Sequence, residues 1–203
     1  MLKDSTTGYG LVTILLHWTC ALLVIFLFGL GLYMRSLDYY SPWYNRGPNL
    51  HISLGILVFA LMSLRAVWRL RNQSPTRIST ISPFIYFIAN AVKFALYFCV
   101  FVICISGYFI TTADGKSANF FGLFSIPPIF QLGATNVDLA GLIHEYVAWG
   151  IIGIATIHGG AAIFHHFVKR DRTLLRMLKP TDASSAELEA DPAVTTDSVQ
   201  KND

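Results

Sequence analysis

Four long runs of apolar residues dominate the chain, and the polar residues collect between them. Residues 11–34 contain no Asp, Glu, Lys or Arg. Residues 50–64 are uncharged, and their helical spacing continues through Arg65 to Leu70. Residues 84–112 hold one charge, Lys93, and residues 139–168 hold one, Glu145. Crossing a bilayer takes about 20 mainly apolar residues in a helix, and each run can reach that length. The runs are continuous rather than alternating, which favours helices over the strands of a closed barrel. The pattern therefore predicts an all-α, four-helix transmembrane bundle with helices over about 11–34, 50–70, 84–112 and 139–168. The first run is too long for a typical signal-peptide core. It has only Lys3 before it and no clear small-residue cleavage site, so it is read as a true span.

The rest of the chain falls into three kinds of segment. Residues 1–10 form a short N-terminal piece ahead of a single membrane domain, 11–180, in which no internal repeat is visible. Loop 35–49 carries the turn formers Pro42, Asn45, Gly47 and Pro48. Loop 113–138 contains an aromatic, apolar stretch, 119–124, ended by Pro127-Pro128, which is read as a short helix lying at the interface. Residues 181–203 hold six carboxylates and one cation, Lys201, with almost no large apolar residue, and are read as a disordered acidic tail.

Composition agrees with a membrane protein. Hydrophobic residues make up 54% of the 203 positions and charged ones 13%, where a soluble domain carries about 25% charge. That balance excludes a disordered chain, a disulfide-stapled secreted domain and a nucleic-acid binder. The net charge of +3 is less informative than its placement. With the N-terminus inside, the inner segments hold Lys3, Arg65, Arg69, Arg71, Arg77, Lys169, Arg170, Arg172, Arg176 and Lys179. The outer segments hold Arg35, Arg46 and Lys116. The positive-inside rule then puts both termini on the cytoplasmic side of a bacterial inner membrane.

Candidate chemistry lies in the histidines, because ionisable groups inside spans are costly and point to function. In this topology His51 and His144 lie near the outer surface, and His17 and His158 lie in the inner half. Two histidines at one depth on different helices can clamp a flat metal macrocycle, and here there are two such pairs. His144 and His158 are 14 residues apart, about 21 Å along one helix axis, and return to nearly the same face. Two stacked sites fit that geometry. Polar side chains simply bonding across helices is the plainer alternative, and zinc is another. A structural zinc site, however, wants four ligands at one point, so haem fits better. Gly29, Gly31, Gly55, Gly150, Gly153, Gly159 and Gly160 can make room for a planar ring or serve close helix packing. Cys20, Cys99 and Cys104 lie inside spans without a Cys-x-x-Cys motif, so covalent haem and iron–sulfur ligation have no support. His165 shares the face of His158 nearer the inner surface. It suits proton delivery or simple interfacial anchoring.

The ordered set of short motifs resembles the bacterial cytochrome b561 family of four-helix, di-haem b membrane proteins. It comprises Leu16-His17-Trp18; His51 with Gly55; Leu64-Arg65 and Trp68-Arg69; Leu96-Tyr97; Gly107-Tyr108; Phe120-Phe121-Gly122-Leu123; His144-Glu145; His158; His165-His166-Phe167; and Asp171 to Met177. The resemblance covers about residues 9–180. It implies His17 with His158 at an inner haem b and His51 with His144 at an outer one. Helix 3 departs from the family pattern, with Lys93 where many relatives have His and Cys104 where Pro often stands. Helix 4 and the basic stretch after it are most similar to the superoxide oxidase subgroup, which implies oxidation of superoxide outside and reduction of ubiquinone inside. A non-catalytic electron-transfer subunit working between a periplasmic partner and quinone is the alternative. On the first reading Arg35, Arg46 and Lys116 are candidates to steer the superoxide anion, and His165 is the candidate to supply protons to quinone. Arg65 and Arg69 can bind haem propionates or quinone, or anchor to lipid phosphates.

Overall fold

A computed structural model describes residues 1–76, 81–130 and 133–180. Arg77, counted above among the inner cations, and the proposed acidic tail 181–203 lie outside the described residues. Four helices are long and apolar enough to span a membrane: α1 (Leu11–Arg35), α2 (Arg46–Arg71), α3 (Pro83–Thr112) and α4 (Ala134–Phe167). A hairpin of β1 (Ala118–Phe120) and β2 (Phe124–Ile126) joins α3 to α4, and a single turn, α5 (Leu175–Leu178), follows α4. Many large apolar side chains face outward, with Leu22, Ile25, Phe94, Phe98 and Ile157 each more than half exposed. That surface would be an aggregation hazard in water and is the expected one in lipid, where backbone groups satisfied within each helix leave only side chains to meet the acyl chains.

Two helix starts come earlier than the apolar pattern implies. The α2 helix begins at Arg46, taking Pro48 into its first turn, where a missing N–H costs nothing because the first-turn donors have no helical acceptor. The α4 helix begins at Ala134 after Gly133, so a polar turn precedes the apolar run. By contrast, α3 starts where its sequence signals: Ser82 accepts a hydrogen bond from Ile85 N–H at 3.3 Å, with Pro83 at the first helical position.

The interfacial helix expected within 113–138 is absent. Residues 118–126 form an antiparallel hairpin with Ala118 opposite Ile126 and Phe120 opposite Phe124. The turn explains the difference. Phe121 and Gly122 both have positive φ, 50° and 75°, and Leu123 N–H closes the turn on the Phe120 carbonyl at 2.9 Å. Two positive φ values in succession suit a hairpin turn and break a helix. Phe120 and Phe124 stack across the strands with ring centres 4.9 Å apart. Buried Ser53 of α2 docks the hairpin: its Oγ accepts from Phe121 N–H at 3.0 Å and lies 3.2 Å from the Asn119 carbonyl.

The other end of the bundle gathers the N-terminal segment, the residues that follow α2 as far as Thr76, and the stretch after α4. Residues 1–10 fold back over the start of α1. Met1 and Leu2 carbonyls accept from Leu11 and Val12 N–H at 3.1 and 3.4 Å, and Asp4 Oδ1 accepts from Gly10 N–H at 2.7 Å. Thr76 N–H donates to the Thr6 carbonyl at 2.8 Å, Arg176 donates to the Thr76 carbonyl at 2.9 Å, and Trp18 Nε1–H donates to the Met177 carbonyl at 2.8 Å. Between the two ends, Cys20, Val58, Met62, Val100 and Ile151, from all four helices, form the buried core. Ile151 sits seven residues from both His144 and His158, so this apolar layer separates the two histidine depths. Around the ring, α1 packs on α2, α2 on α3 and α3 on α4, while the α4–α1 side is the loosest.

Candidate functional site: two histidine pairs

At the hairpin end His51 of α2 faces His144 of α4, with ring centres 6.1 Å apart. At the termini end His17 of α1 faces His158 of α4 at 6.5 Å. A metal bonded to one nitrogen of each of two opposed imidazoles, at about 2 Å per bond, holds the ring centres about 6 Å apart. Both pairs have that spacing. Among the described residues no group of three or more His, Cys, Asp or Glu side chains converges as a metal site. Each described pair is a two-donor set, which would suit a planar metal macrocycle and falls short of the four ligands of tetrahedral zinc.

Hydrogen bonds fix which ring nitrogen is free at His144. Ser106 Oγ donates its single proton to the Ile103 carbonyl at 3.0 Å and stands 3.1 Å from His144 Nδ1. It can only accept there, so His144 carries its proton on Nδ1 and leaves the Nε2 lone pair available to a metal, as an orienting outer contact does at metal sites. Its partner, His51, has a buried Nδ1 without a hydrogen bond among the described residues. A cavity of about 810 Å³ opens between these two rings, bordered by Gly31, Gly55, Gly107 and Phe28 among others. That is within the range of cofactor sites, about 300–1,000 Å³. Gly107 leaves room for the ring there: a Cβ would lie 3.0 Å from His144 Cε1, so the imidazole would have to shift by a few tenths of an ångström.

The inner pair is arranged differently. Arg65 Nη2 lies 3.0 Å from His17 Nδ1, and a guanidinium can only donate. A neutral His17 then carries its proton on Nε2, so Arg65 must release Nδ1 before Nε2 can bind a metal. The same guanidinium sits over the Tyr97 ring at 5.1 Å. Arg69 lies over the Tyr9 ring at 5.6 Å and 3.9 Å from Asp4.

His165 is held by a residue whose role the sequence does not announce. Asp171 Oδ2 lies 2.5 Å from His165 Nδ1, and Oδ1 accepts from Thr173 N–H at 2.8 Å. Arg170, with φ of 54°, makes the turn that brings Asp171 back. Burial alone would raise the Asp171 pKa, but hydrogen bonds from Thr173 and His165 outweigh it and hold the carboxyl below the usual range. The Asp171-x-Thr173 spacing is the one available signal. Ser106 gives none, because a serine inside an apolar run looks like any small packing residue.

The three outer cations do not form one patch. Arg35 is paired with Glu145 across the loose α1–α4 side, and Lys116 lies 3.5 Å from Asp114. Arg46 has no carboxylate partner among the described residues. Asp38, Asp114, Asp138 and Glu145 at this end outnumber Arg35, Arg46 and Lys116.

Four apolar helices of membrane length, with paired histidines at two depths, make a membrane bundle with two candidate metal-binding positions. The chain belongs to the prokaryotic cytochrome b561 family, whose model matches residues 8–180. It is 40% identical over 175 residues to cytochrome b561 homolog 2 of Escherichia coli (strain K12), covering 86% of this chain and 93% of that protein. It is 32% identical over 180 residues to the probable superoxide oxidase CybB of Yersinia pestis, covering 84% and 95%, and 29% identical over 174 residues to cytochrome b561 homolog 1 of Escherichia coli, covering 81% and 93%. The protein is thus a multi-pass integral membrane protein of electron transport, and the family's prosthetic group is b-type haem.

Proposed function

We propose that this chain is a di-haem b oxidoreductase that accepts electrons at the hairpin end and delivers them to ubiquinone at the termini end. The observation that carries this reading is the pair of imidazole spacings, 6.1 and 6.5 Å, one at each end of the bundle. His51 and His144 would hold one haem, and His17 and His158 the other. Haem b supplies one-electron redox chemistry. A haem held by two histidines would carry electrons by outer-sphere transfer rather than bind oxygen. Arg65 and Arg69 would meet haem carboxylates or quinone, and His165, oriented by Asp171, would serve as a proton relay. The positive-inside count supports a cytoplasmic termini end and a periplasmic hairpin end in the inner membrane.

The donor has two readings. Likeness to the probable superoxide oxidase favours superoxide, making the chain a superoxide:ubiquinone oxidoreductase. Ion pairing of Arg35 and Lys116, and the excess of carboxylates at the hairpin end, favour a periplasmic redox protein instead. Stopped-flow mixing of superoxide with oxidised protein tests the choice. Haem reduction that slows as salt rises supports steering of the anion by Arg35, Arg46 and Lys116. Absence of haem reduction rejects superoxide as the donor. A reduced-minus-oxidised spectrum showing one haem or none per chain would overturn the di-haem assignment.

A further inference from the structure

The N-terminal segment buries a carboxylate against a cation without completing the bond. The Asp4 side chain has no exposed surface. Its Oδ1 is used by Gly10 N–H at 2.7 Å. Its Oδ2 stands 3.9 Å from Arg69 Nη1, too far for a hydrogen bond, and both atoms are buried without a hydrogen-bond partner among the described residues. Tyr9 lies beneath the Arg69 guanidinium, Arg65 occupies the next inward turn of α2, and Lys93 of α3 is within Coulombic reach of both Arg69 and His158. An unfilled acceptor facing an unfilled donor matches a ligand oxygen that can accept from one side and exchange a proton with the other. A quinone oxygen that becomes a quinol hydroxyl does both.

Resting on the reading above that the termini end reduces quinone, we propose that one quinone oxygen binds between Arg69 Nη1 and Asp4 Oδ2, and that the Asp4 carboxylate relays a proton to it. Reduction of a quinone to a quinol takes two electrons and two protons, opening each C=O π bond and forming an O–H bond at each oxygen. The electrons are those the chain delivers. At the near oxygen the Asp4 carboxylate takes up a proton from water at the termini end and hands it to the ligand, returning to the carboxylate held by Gly10 N–H and Arg69. Water at the termini end also supplies the proton for the far oxygen.

The test uses haem-loaded protein in detergent, reduced with dithionite so that no superoxide is needed, and mixed with ubiquinone-1. Equilibrium binding of ubiquinone-1 is measured separately by calorimetry. Asp4→Asn keeps an acceptor for Gly10 N–H and a polar partner for the ligand but cannot relay a proton. It is expected to bind with an affinity within about twofold of wild type and to be reoxidised about tenfold or more slowly. Arg69→Gln is expected to weaken binding about tenfold or more, and it tests the site even should Asp4→Asn fail to assemble. Wild-type rates in Asp4→Asn, or wild-type binding in Arg69→Gln, overturn the site. Wild-type protein that ubiquinone-1 cannot reoxidise overturns the quinone reading itself.

Discussion

Substituting Ser106 by Ala isolates the contact that sets the His144 tautomer. Ser106 is 5% exposed, so water cannot take over as acceptor, and the change leaves the His144 Nδ1–H only the Ile103 backbone carbonyl. A fully unsatisfied buried donor costs about 1–3 kcal/mol, an upper bound for this change. Loss of an outer partner of a metal-bound imidazole costs about 10–100-fold in affinity, or about 1.4–2.8 kcal/mol. The two ranges coincide, so Ser106→Ala is expected to weaken the hairpin-end haem by one to two powers of ten, as orders of magnitude, and leave the other haem in place. Haem titration of apoprotein, followed by the Soret band and a pyridine haemochrome count, reads this directly. Ser106→Thr keeps a hydroxyl and is expected to restore affinity. Wild-type affinity in Ser106→Ala would refute the idea that this serine fixes the Nε2 lone pair.

The ligand pairing predicts that His17→Ala and His158→Ala lose the same haem, and that His51→Ala and His144→Ala lose the other. Redox titration of each variant checks this, and a mixed pattern breaks the pairing. Gly107→Val should abolish the hairpin-end haem, because its Cβ would start 3.0 Å from the His144 ring and its methyls would press further; a normal two-haem spectrum contradicts this. Gly10→Ala should release residues 1–10, since a Cβ there would lie 2.4 Å from the Leu2 carbonyl oxygen, and faster cleavage of the N-terminal segment by protease reports it. The Asp171 pKa is depressed on folding. Its stabilisation is therefore fully present above the unfolded value of about 4 and lost as pH falls through the lower folded value. Hydrogen exchange after α4 should rise in acid for wild type, whereas Asp171→Asn should already exchange fast at neutral pH.

The four spans and the two depths of histidine are legible in the sequence because both rest on strong one-dimensional signals. An uncharged run of membrane length is seldom anything but a span, and a histidine's depth follows from its place in the run. What stays hidden depends on contacts distant in sequence. Ser106 meets His144 from another helix 38 residues away, and Asp4 meets Arg69 from outside the membrane run altogether. The 113–138 loop departs from its expected helix for a different reason. An aromatic, apolar hexapeptide suits an interfacial helix by composition, but paired positive φ at Phe121 and Gly122 and the docking on Ser53 decide for a hairpin. The signal is the Phe-Gly step itself, since a glycine in the middle of a short apolar stretch marks a turn more often than a helix.

One set of charges answers two questions differently. Topology follows Lys and Arg, with Asp and Glu contributing little, so Arg35, Arg46 and Lys116 count as three against the inner excess. A diffusing anion responds instead to the sum of both signs at the surface. There Glu145 pairs with Arg35, Asp114 lies beside Lys116, and Asp38 and Asp138 tip the hairpin end to a formal charge of −1, three cations against four carboxylates. If superoxide is the donor, it approaches that field without net attraction unless Arg46 acts alone. Removing the acids should then help: Glu145→Gln, which also frees Arg35, is expected to speed haem reduction by superoxide and to make it more sensitive to salt. For a cationic protein donor the same change should slow reduction. Stopped-flow traces of this one variant with each donor therefore separate the two readings by sign, and an unchanged rate with both would show that neither donor approaches past the Arg35–Glu145 pair.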